Sequence, residues 1–290
     1  MENSASLGAS VQALEYHYNI GNEFYELWLD KSLSYTSALY RSDDDTLEQA
    51  QTHKVDYHFE EIHLRGVERL LDVGCGWGGQ LQRATTHYDV KHAVGLTLNE
   101  PHIDWIGNFN NPRIKVRLEN WRDHKPDEPY DRICAWGVLE HAARPGISDA
   151  EKQAIYREFF ELCHGWLKPG GEVSVQTITY ENATRADLNA FIEQEIFPES
   201  DLPSQADIVR AREHLFEITR MRNDRTHYER TLREWRHRLR ANAAAATDLV
   251  GEDAVKKYEK YLSLFMIGFH TATMNLSRFA FKRIDTPRGR

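Results

Sequence analysis

Residues 70–79, LLDVGCGWGG, decide the fold of this chain. A short apolar run followed by closely spaced glycines predicts a strand that turns sharply into a helix. Because glycine has no Cβ atom, its backbone adopts positive φ and lets a ligand approach closely. The helix expected over residues 80–88 would direct its free N–H groups at that ligand. The stretch therefore predicts a strand, turn and helix built around a bound molecule.

Two classes of ligand fit this turn. Its glycines match the dinucleotide fingerprint, which expects a ribose-binding acid about 20 residues further along the chain. The next predicted strand, residues 93–98, ends without such an acid, although Glu100 lies just beyond it. Asp72, two residues before the first glycine, fits better a nucleoside cofactor without a pyrophosphate, which is S-adenosylmethionine. These residues leave both alternatives open.

Composition limits the classes of function. The 290 residues include 36 basic and 45 acidic side chains, a net charge of −9, which argues against broad nucleic-acid binding. No apolar run is long enough to span a bilayer, and the first residues do not resemble a signal peptide. Cys75, Cys134 and Cys163 show no paired spacing, which is typical of reduced thiols. We expect a cytoplasmic protein without a transmembrane segment.

Alternating strands and helices define the predicted architecture. Periodicity and turn residues predict seven strands, at residues 70–73, 93–98, 113–118, 131–138, 172–179, 215–220 and 275–282. The alternation with helices across residues 68–180 predicts an α/β fold with a doubly wound parallel sheet. We expect the last strand, residues 275–282, to lie at an edge. The absence of a linker predicts one domain, residues 1–290, with helices in 1–65 and 184–212 forming a cap.

Aromatic side chains and histidines outside the sheet invite functional interpretations. Aromatic residues are dense in residues 16–30, where they either cover the core or line an apolar substrate tunnel. His53, His58 and His63 lie on the helix predicted before the glycine turn. A spacing of five residues rotates each histidine by about 140° from the last, so they do not share one face. We predict solvated or half-buried histidines and no metal site.

The chain resembles the cyclopropane-fatty-acid synthase family, in particular the mycolic acid cyclopropane synthases, which are S-adenosylmethionine-dependent methyltransferases. The blocks that carry the resemblance are residues 17–19, 35–40, 71–78, 95–98, 120–121, 139–141, 177–179, 196–198, 227–235 and 258–268. The resemblance implies a seven-stranded, Rossmann-like methyltransferase sheet whose last strand runs antiparallel. It also favours S-adenosylmethionine over a dinucleotide at the glycine turn.

The expected cofactor contacts follow from the turn and from this resemblance. Trp121 follows the third predicted strand and offers a flat ring on which a heterocycle could stack. We expect the cofactor to be bound by Tyr35, Thr36, Asp72, Gly74, Gly76, Gly78, Thr97, Leu98, Asn99 and Trp121.

The expected chemistry begins with an electrophilic sulfonium methyl group and an alkene that attacks it. The attack leaves a carbocation, which requires a dry pocket with aromatic faces. A base then removes a proton. The resemblance implies a bound bicarbonate as this base, held by a glutamate, a tyrosine, a histidine and a backbone group. Glu140 and Tyr228 match the first two, Ser37 occupies the family's cysteine position, and Gln176 replaces the histidine.

The replacement at Gln176 leaves the acceptor open. Glutamine donates a hydrogen bond to an anion but carries no titratable charge. The stretch of residues 142–150, longer than in the family pattern, also borders the expected acceptor pocket. The main interpretation is C-methylation of an unsaturated acyl chain, with or without cyclopropane formation. The alternatives are a C-methyltransferase of a smaller metabolite, such as a terpenoid or polyketide, and a non-catalytic S-adenosylmethionine-binding domain.

Overall fold

The computed structural model describes residues 20–187 and 199–286. The predictions made for residues 1–19 and 188–198 lie outside this range, and so do part of the predicted cap and two of the family blocks. Within residues 20–187 and 199–286, no helix is both long and apolar enough to cross a lipid bilayer.

The described chain forms helices around seven strands. The strands are β1 (Arg69–Val73), β2 (His92–Thr97), β3 (Ile114–Leu118), β4 (Tyr130–Trp136), β5 (Leu167–Tyr180), β6 (Phe216–Asn223) and β7 (Met274–Arg283). The helices are α1 (Asn22–Glu26), α2 (Leu47–Glu61), α3 (Gly79–His87), α4 (Glu100–Gly107), α5 (Asp149–Trp166), α6 (Gln205–Ala211), α7 (Arg225–Ala241), α8 (Ala243–Val250) and α9 (Glu252–His270). Short 3₁₀ turns lie at Trp121–Asp123, Leu139–His141 and Arg185–Asp187.

The seven strands form one sheet in the order β3-β2-β1-β4-β5-β7-β6. β1 pairs in parallel with β2 and β4, and β4 pairs in parallel with β5. β7 runs antiparallel to both of its neighbours, β5 and β6. The doubly wound sheet and the reversed last strand are confirmed. The predicted edge position of residues 275–282 was wrong, because β7 inserts between β5 and β6 and leaves β6 at the edge.

Local sequence signals fix where the long helices begin. The Thr46 side chain accepts a hydrogen bond from the Gln49 N–H, and the Gln49 side chain accepts one from the Thr46 N–H. This capping box satisfies two N–H groups at the start of α2. Ser148 and Glu151 form the same arrangement at the start of α5. Both helices therefore begin at positions set by their own sequence.

Helices cover both faces of the sheet. Apolar side chains of α5 and α6 pack on one face, and those of α2 and α3 pack on the other. A third cluster is strongly aromatic and joins α1 to α7 and α9, with Trp28, Trp235 and Tyr258 at its centre. The prediction of a cap in 1–65 and 184–212 omitted these later helices, which provide most of the described aromatic cover.

The three histidines of the second helical segment have different environments. His58 is buried, at 1% exposure, which corrects the prediction of a solvated or half-buried side chain. His53 lies beside Asp45, and His63 lies beside Glu172. No cluster of three or more His, Cys, Asp or Glu side chains suited to a metal ion lies within residues 20–187 and 199–286.

Candidate active site

A cavity of ≈ 260 Å³ opens at the carboxyl ends of β1, β2, β4 and β5. This is the edge at which open parallel sheets bind ligands, because the loops that follow the strands diverge there. Eight of the ten predicted cofactor residues line the cavity, and these are Tyr35, Thr36, Gly74, Gly76, Thr97, Leu98, Asn99 and Trp121. Three of the four predicted catalytic residues also line it, and these are Glu140, Gln176 and Tyr228.

The glycine turn forms the floor of the cavity. Gly74 and Gly76 have φ angles of +75° and +52°, in the left-handed region that favours glycine. A Cβ atom on Gly74 would lie 2.8 Å from Cγ2 of Val138, so this position is closed by packing. A Cβ atom on Gly76 would meet no protein atom within 4 Å and would project into open space. The backbone at Gly76 is therefore the part of the turn that leaves room for a ligand.

Asp72 and Gly78 are not among the cavity-lining residues. Gly78 caps α3 with a φ of +74°, and a Cβ atom there would lie 2.7 Å from Cγ1 of Ile106. Its glycine is thus required by helix packing. Asp72 is buried behind the turn, and neither carboxylate oxygen has a hydrogen-bond partner among the described residues. Burial raises the pKa of Asp72 to about 7, and the charge of the Lys54 ammonium only partly offsets this rise.

The residues after β2 supply a second wall. Asn99 is 6% exposed, and both its amide nitrogen and its amide oxygen lack hydrogen-bond partners among the described residues. A buried amide without partners is costly, so such a group at a cavity indicates a polar ligand. Trp121 faces the same space and packs edge-on against Phe159, with ring centroids 5.5 Å apart. Asn99 and Trp121 together offer hydrogen bonds and a flat apolar surface.

The segment of residues 34–36 covers the opposite side and is held by a buried lysine. Lys54 of α2 donates to Oγ of Ser34 at 2.7 Å and to Oγ1 of Thr36 at 3.1 Å. Burial lowers the pKa of Lys54 to about 7. The Tyr35 hydroxyl donates to the Tyr261 hydroxyl at 3.3 Å, which connects this segment to α9. Sequence reasoning missed Lys54.

Glu140 lies in the 3₁₀ turn that follows β4. Gly137, between the strand and this turn, has a φ of +74°, which allows the backbone to change direction there. Its Oε1 atom accepts a hydrogen bond from the Ile178 N–H at 2.7 Å. Its Oε2 atom is buried and has no partner among the described residues. Burial raises the pKa of the Glu140 carboxyl to about 7, and the Ile178 N–H only partly offsets this effect. The turn thus holds a buried acid at the cavity, with one carboxyl oxygen bonded to the backbone and the other without a partner among the described residues.

Gln176 and Tyr228 meet Glu140 at the same cavity. Gln176 lies on β5, two residues before Ile178, so both side chains lie on one face of the strand. Tyr228 lies in the first turn of α7 and packs on Phe269, with ring centroids 4.5 Å apart. Tyr261 and Phe265 of α9 complete an aromatic wall, beside the apolar side chains of Ile178, Leu202, Met274 and Leu276.

Ser37 lies behind the cavity and does not line it. Its side chain is fully buried, and its hydroxyl donates to the carbonyl oxygen of Ala38 at 3.0 Å. The buried Arg278 guanidinium donates to the carbonyl oxygens of Ser37 and Ala38, at 3.3 and 3.0 Å. These contacts fix the backbone next to Thr36. The Ser37 hydroxyl is therefore placed to support this backbone and not to contact a ligand in the cavity.

The geometry fits S-adenosylmethionine. The open space at Gly76, the unpartnered amide of Asn99 and the ring of Trp121 are suited to a nucleoside with a polar tail. They lie at the carboxyl ends of the parallel strands, in a seven-stranded sheet whose last strand is reversed. Fold and site together define the class of S-adenosylmethionine-dependent methyltransferases.

Comparison with known proteins identifies the family. The family model described as mycolic acid cyclopropane synthetase matches residues 6–279, and the chain belongs to this family. Cyclopropane mycolic acid synthase 1 of Mycobacterium tuberculosis is 35% identical over 283 residues, which cover 90% of this chain and 93% of that protein. The S-adenosylmethionine-dependent methyltransferase UmaA of Mycobacterium tuberculosis is 34% identical over 280 residues, which cover 90% of this chain and 94% of that protein.

A solved structure agrees with these relatives. The structure of mycolic acid cyclopropane synthase CmaA1 complexed with SAH and CTAB has a TM-score of 0.85 and 31% sequence identity to this chain. The match covers 95% of this chain and 99% of that one. The structural similarity therefore extends over nearly the whole of both chains.

Proposed function

We propose that this protein transfers a methyl group from S-adenosylmethionine to a carbon–carbon double bond of an unsaturated acyl chain. One observation carries the proposal. A single cavity joins the polar floor at Gly76 and Asn99 to an apolar, aromatic wall that contains one buried, unpaired acid, Glu140. The relatives named as cyclopropane mycolic acid synthases support the acyl acceptor.

The polar half of the cavity would hold the cofactor, which supplies an electrophilic methyl group when bound. Asn99 has both a donor and an acceptor for hydroxyl or amine groups of the ligand. The backbone at Gly76 admits the ligand closely, and Trp121 offers a stacking surface. The segment held by Lys54 closes the space from above.

The aromatic half would hold the acceptor. Attack by a double bond places positive charge on the acceptor carbon, and aromatic faces stabilise a cation. Tyr228, Tyr261 and Phe265 supply such faces, and their apolar neighbours exclude water that would trap the cation.

We propose that a bound bicarbonate accepts the proton, held by Glu140, Gln176 and Tyr228. The Oε2 atom of Glu140, which has no partner among the described residues, would accept from the bicarbonate hydroxyl and take up its proton as the bicarbonate accepts one from the acceptor. Burial raises the pKa of this carboxyl to about 7, which suits it to that exchange, whereas an amide nitrogen at the same position accepts no proton. The alternative base is His141, which also lines the cavity. Burial lowers the pKa of His141 to about 4, and its Nδ1 atom is bonded to the Ser200 hydroxyl, so it is a weak base.

Turnover tests this function directly. The protein, methyl-labelled S-adenosylmethionine and an extract of unsaturated lipids should yield labelled lipid. Glu140→Gln should lower turnover by roughly 10²-fold, the usual scale of a positioned acid–base group, with little change in cofactor affinity. The matched control is Glu128→Gln, whose carboxylate is 71% exposed and should leave turnover unchanged. Undiminished turnover in Glu140→Gln would refute the assigned role.

A second candidate is methylation without ring closure, on a smaller acceptor. Gln176 favours it, because a neutral amide holds an anion less firmly than a histidine would. Ring closure removes a proton from the transferred methyl group, so a trideuteromethyl cofactor would leave two deuterium atoms in a cyclopropane. Proton loss from the acceptor itself would leave all three. Two retained deuterium atoms in the product would exclude this candidate.

A further inference from the structure

An imidazole lies directly behind Gln176, on the side away from the cavity. His58 of α2 is fully enclosed, and its Nε2 atom is 3.3 Å from Oε1 of Gln176. Its Nδ1 atom is 2.7 Å from the Ser174 hydroxyl. The Trp136 indole N–H donates to the same hydroxyl at 3.2 Å. Four side chains from three elements thus form one buried hydrogen-bonded chain that ends at the cavity.

The buried hydrogen-bonded chain has one direction of donation in which each of its polar groups has a partner. The indole N–H only donates, so the Ser174 oxygen accepts from Trp136. If the Ser174 hydroxyl donates to Nδ1 of His58, the neutral imidazole carries its proton on Nε2 and donates to Oε1 of Gln176. In the reverse direction the Ser174 hydroxyl would have no acceptor among the described residues, in a fully buried position.

The orientation of the Gln176 amide follows from this direction. Because its oxygen faces His58, its nitrogen is the group left to face the cavity that Gln176 lines. No hydrogen-bond partner of that nitrogen is found in the described parts of the chain. Glu140 ends at the same cavity with its unpaired Oε2 atom. An anion at that place would therefore meet an N–H donor.

We propose that His58 is a positioning residue, which holds the Gln176 amide with its N–H groups toward the anion that serves as base. Without this hold the amide can rotate by half a turn and present its oxygen, which repels an anion. Gln176 replaces the family's histidine on β5, and His58 provides an imidazole from α2 instead. This imidazole contacts the Gln176 amide from the side away from the cavity and does not touch the ligand. The inference rests on the proposed bicarbonate site.

The tautomer of His58 provides the first test. In protein labelled with ¹⁵N-histidine, imidazole nitrogen shifts distinguish a proton on Nε2 from one on Nδ1. The signal is assigned by its loss in the His58→Gln variant. We expect the Nε2–H tautomer in the SAH-bound protein. The Nδ1–H tautomer would overturn the inference, because it reverses the hydrogen-bonded chain.

Two variants provide the second test. His58→Phe keeps a ring to pack on Trp136, where the centroids are 4.5 Å apart, but it donates no hydrogen bond. His58→Gln restores an N–H donor near the position of Nε2. The matched control, His53→Phe, changes a histidine of the same helix that lies beside Asp45. Sodium [¹³C]bicarbonate is titrated into each SAH-saturated protein at neutral pH, and SAH affinity is measured by calorimetry.

We expect His58→Phe to weaken bicarbonate binding by roughly tenfold, the effect of losing one oriented donor to a charged group. His58→Gln should recover most of the affinity, and His53→Phe should match the wild type. SAH affinity should be the same in all four proteins. Equal bicarbonate affinity in His58→Phe and the wild type would overturn the inference while leaving the proposed base intact. No bicarbonate binding by the wild type, with SAH affinity retained, would overturn both.

Discussion

Replacing Glu140 by glutamine should stabilise the ligand-free protein while it disables the reaction. The Glu140 side chain is 6% exposed, and burial raises the pKa of its carboxyl from 4.5 to about 7. The difference between these values corresponds to about 3 kcal/mol of unfolding free energy, at ~1.4 kcal/mol per pH unit. Glutamine keeps an oxygen to accept from the Ile178 N–H and carries no charge.

The sign of this effect depends on pH. Because the pKa is raised in the folded state, the protonated carboxyl is favoured there, and its contribution is fully present below pH 4.5. It is lost as the pH rises through about 7. At about pH 8.5 the Glu140→Gln variant should therefore exceed the wild type by about 3 kcal/mol, and at about pH 4.5 the two should be equal.

Urea unfolding of both ligand-free proteins at the two pH values measures this difference. The comparison cancels the titration of all other groups, because only residue 140 differs. A variant that is less stable than the wild type at high pH would refute the reasoning. So would a difference of the same size at both pH values, since it would not come from ionisation.

Three other substitutions test the cofactor site. Gly76→Val should abolish SAH binding in calorimetry, whereas Gly66→Val, with a similar positive φ and equal open space away from the cavity, should retain it. Asn99→Ala should weaken SAH binding by roughly tenfold yet raise the stability of the ligand-free protein by about 1–3 kcal/mol, because it removes buried groups without partners. Lys54→Met should weaken SAH binding by freeing the segment of residues 34–36, and unchanged affinity would contradict that role.

The sequence predicts the parts of the fold that depend on neighbouring residues. The glycine turn and the strand periods are local patterns, and each is found at its expected place. The order of the strands in the sheet does not follow from local patterns of this kind. Both β6 and β7 are recognisable as strands, but which one lies at the edge is decided by pairing between residues far apart in the chain. The edge prediction failed for that reason.

The polar residues of α2 that support the site have a recognisable pattern in the sequence. Gln51, Lys54 and His58 follow helical spacing and are all buried on one face of α2. The Gln51 amide donates to the carbonyl oxygens of Ser34 and Thr36, the residues whose hydroxyls Lys54 contacts. A polar stripe of this kind on a helix that otherwise packs on a sheet indicates a buried hydrogen-bonding network. The spacing of His53, His58 and His63 alone does not reveal this stripe, because only His58 belongs to it. The partners, Ser34, Thr36 and the β5 side chains, come from elsewhere and require the structure.

Three ionisable groups around one cavity have pKa values displaced to about 7. Lys54 is lowered to that value, whereas Asp72 and Glu140 are raised to it, and burial is the largest cause in each case. Each charged form is therefore destabilised in the ligand-free protein, the acids as the pH rises and the lysine as it falls. Lys54 already donates to Ser34 and Thr36, and Asp72 lies behind the turn, so of these three groups only Glu140 leaves at the cavity an atom without a partner among the described residues. Its cost is tolerated where a ligand supplies that partner. A ligand at 100 times its dissociation constant stabilises a protein by about 2.7 kcal/mol, close to the cost of one such buried charge. The raised pKa of Glu140 and its Oε2 atom without a partner in the described chain are thus best explained by a site that is complete only when its ligand is bound.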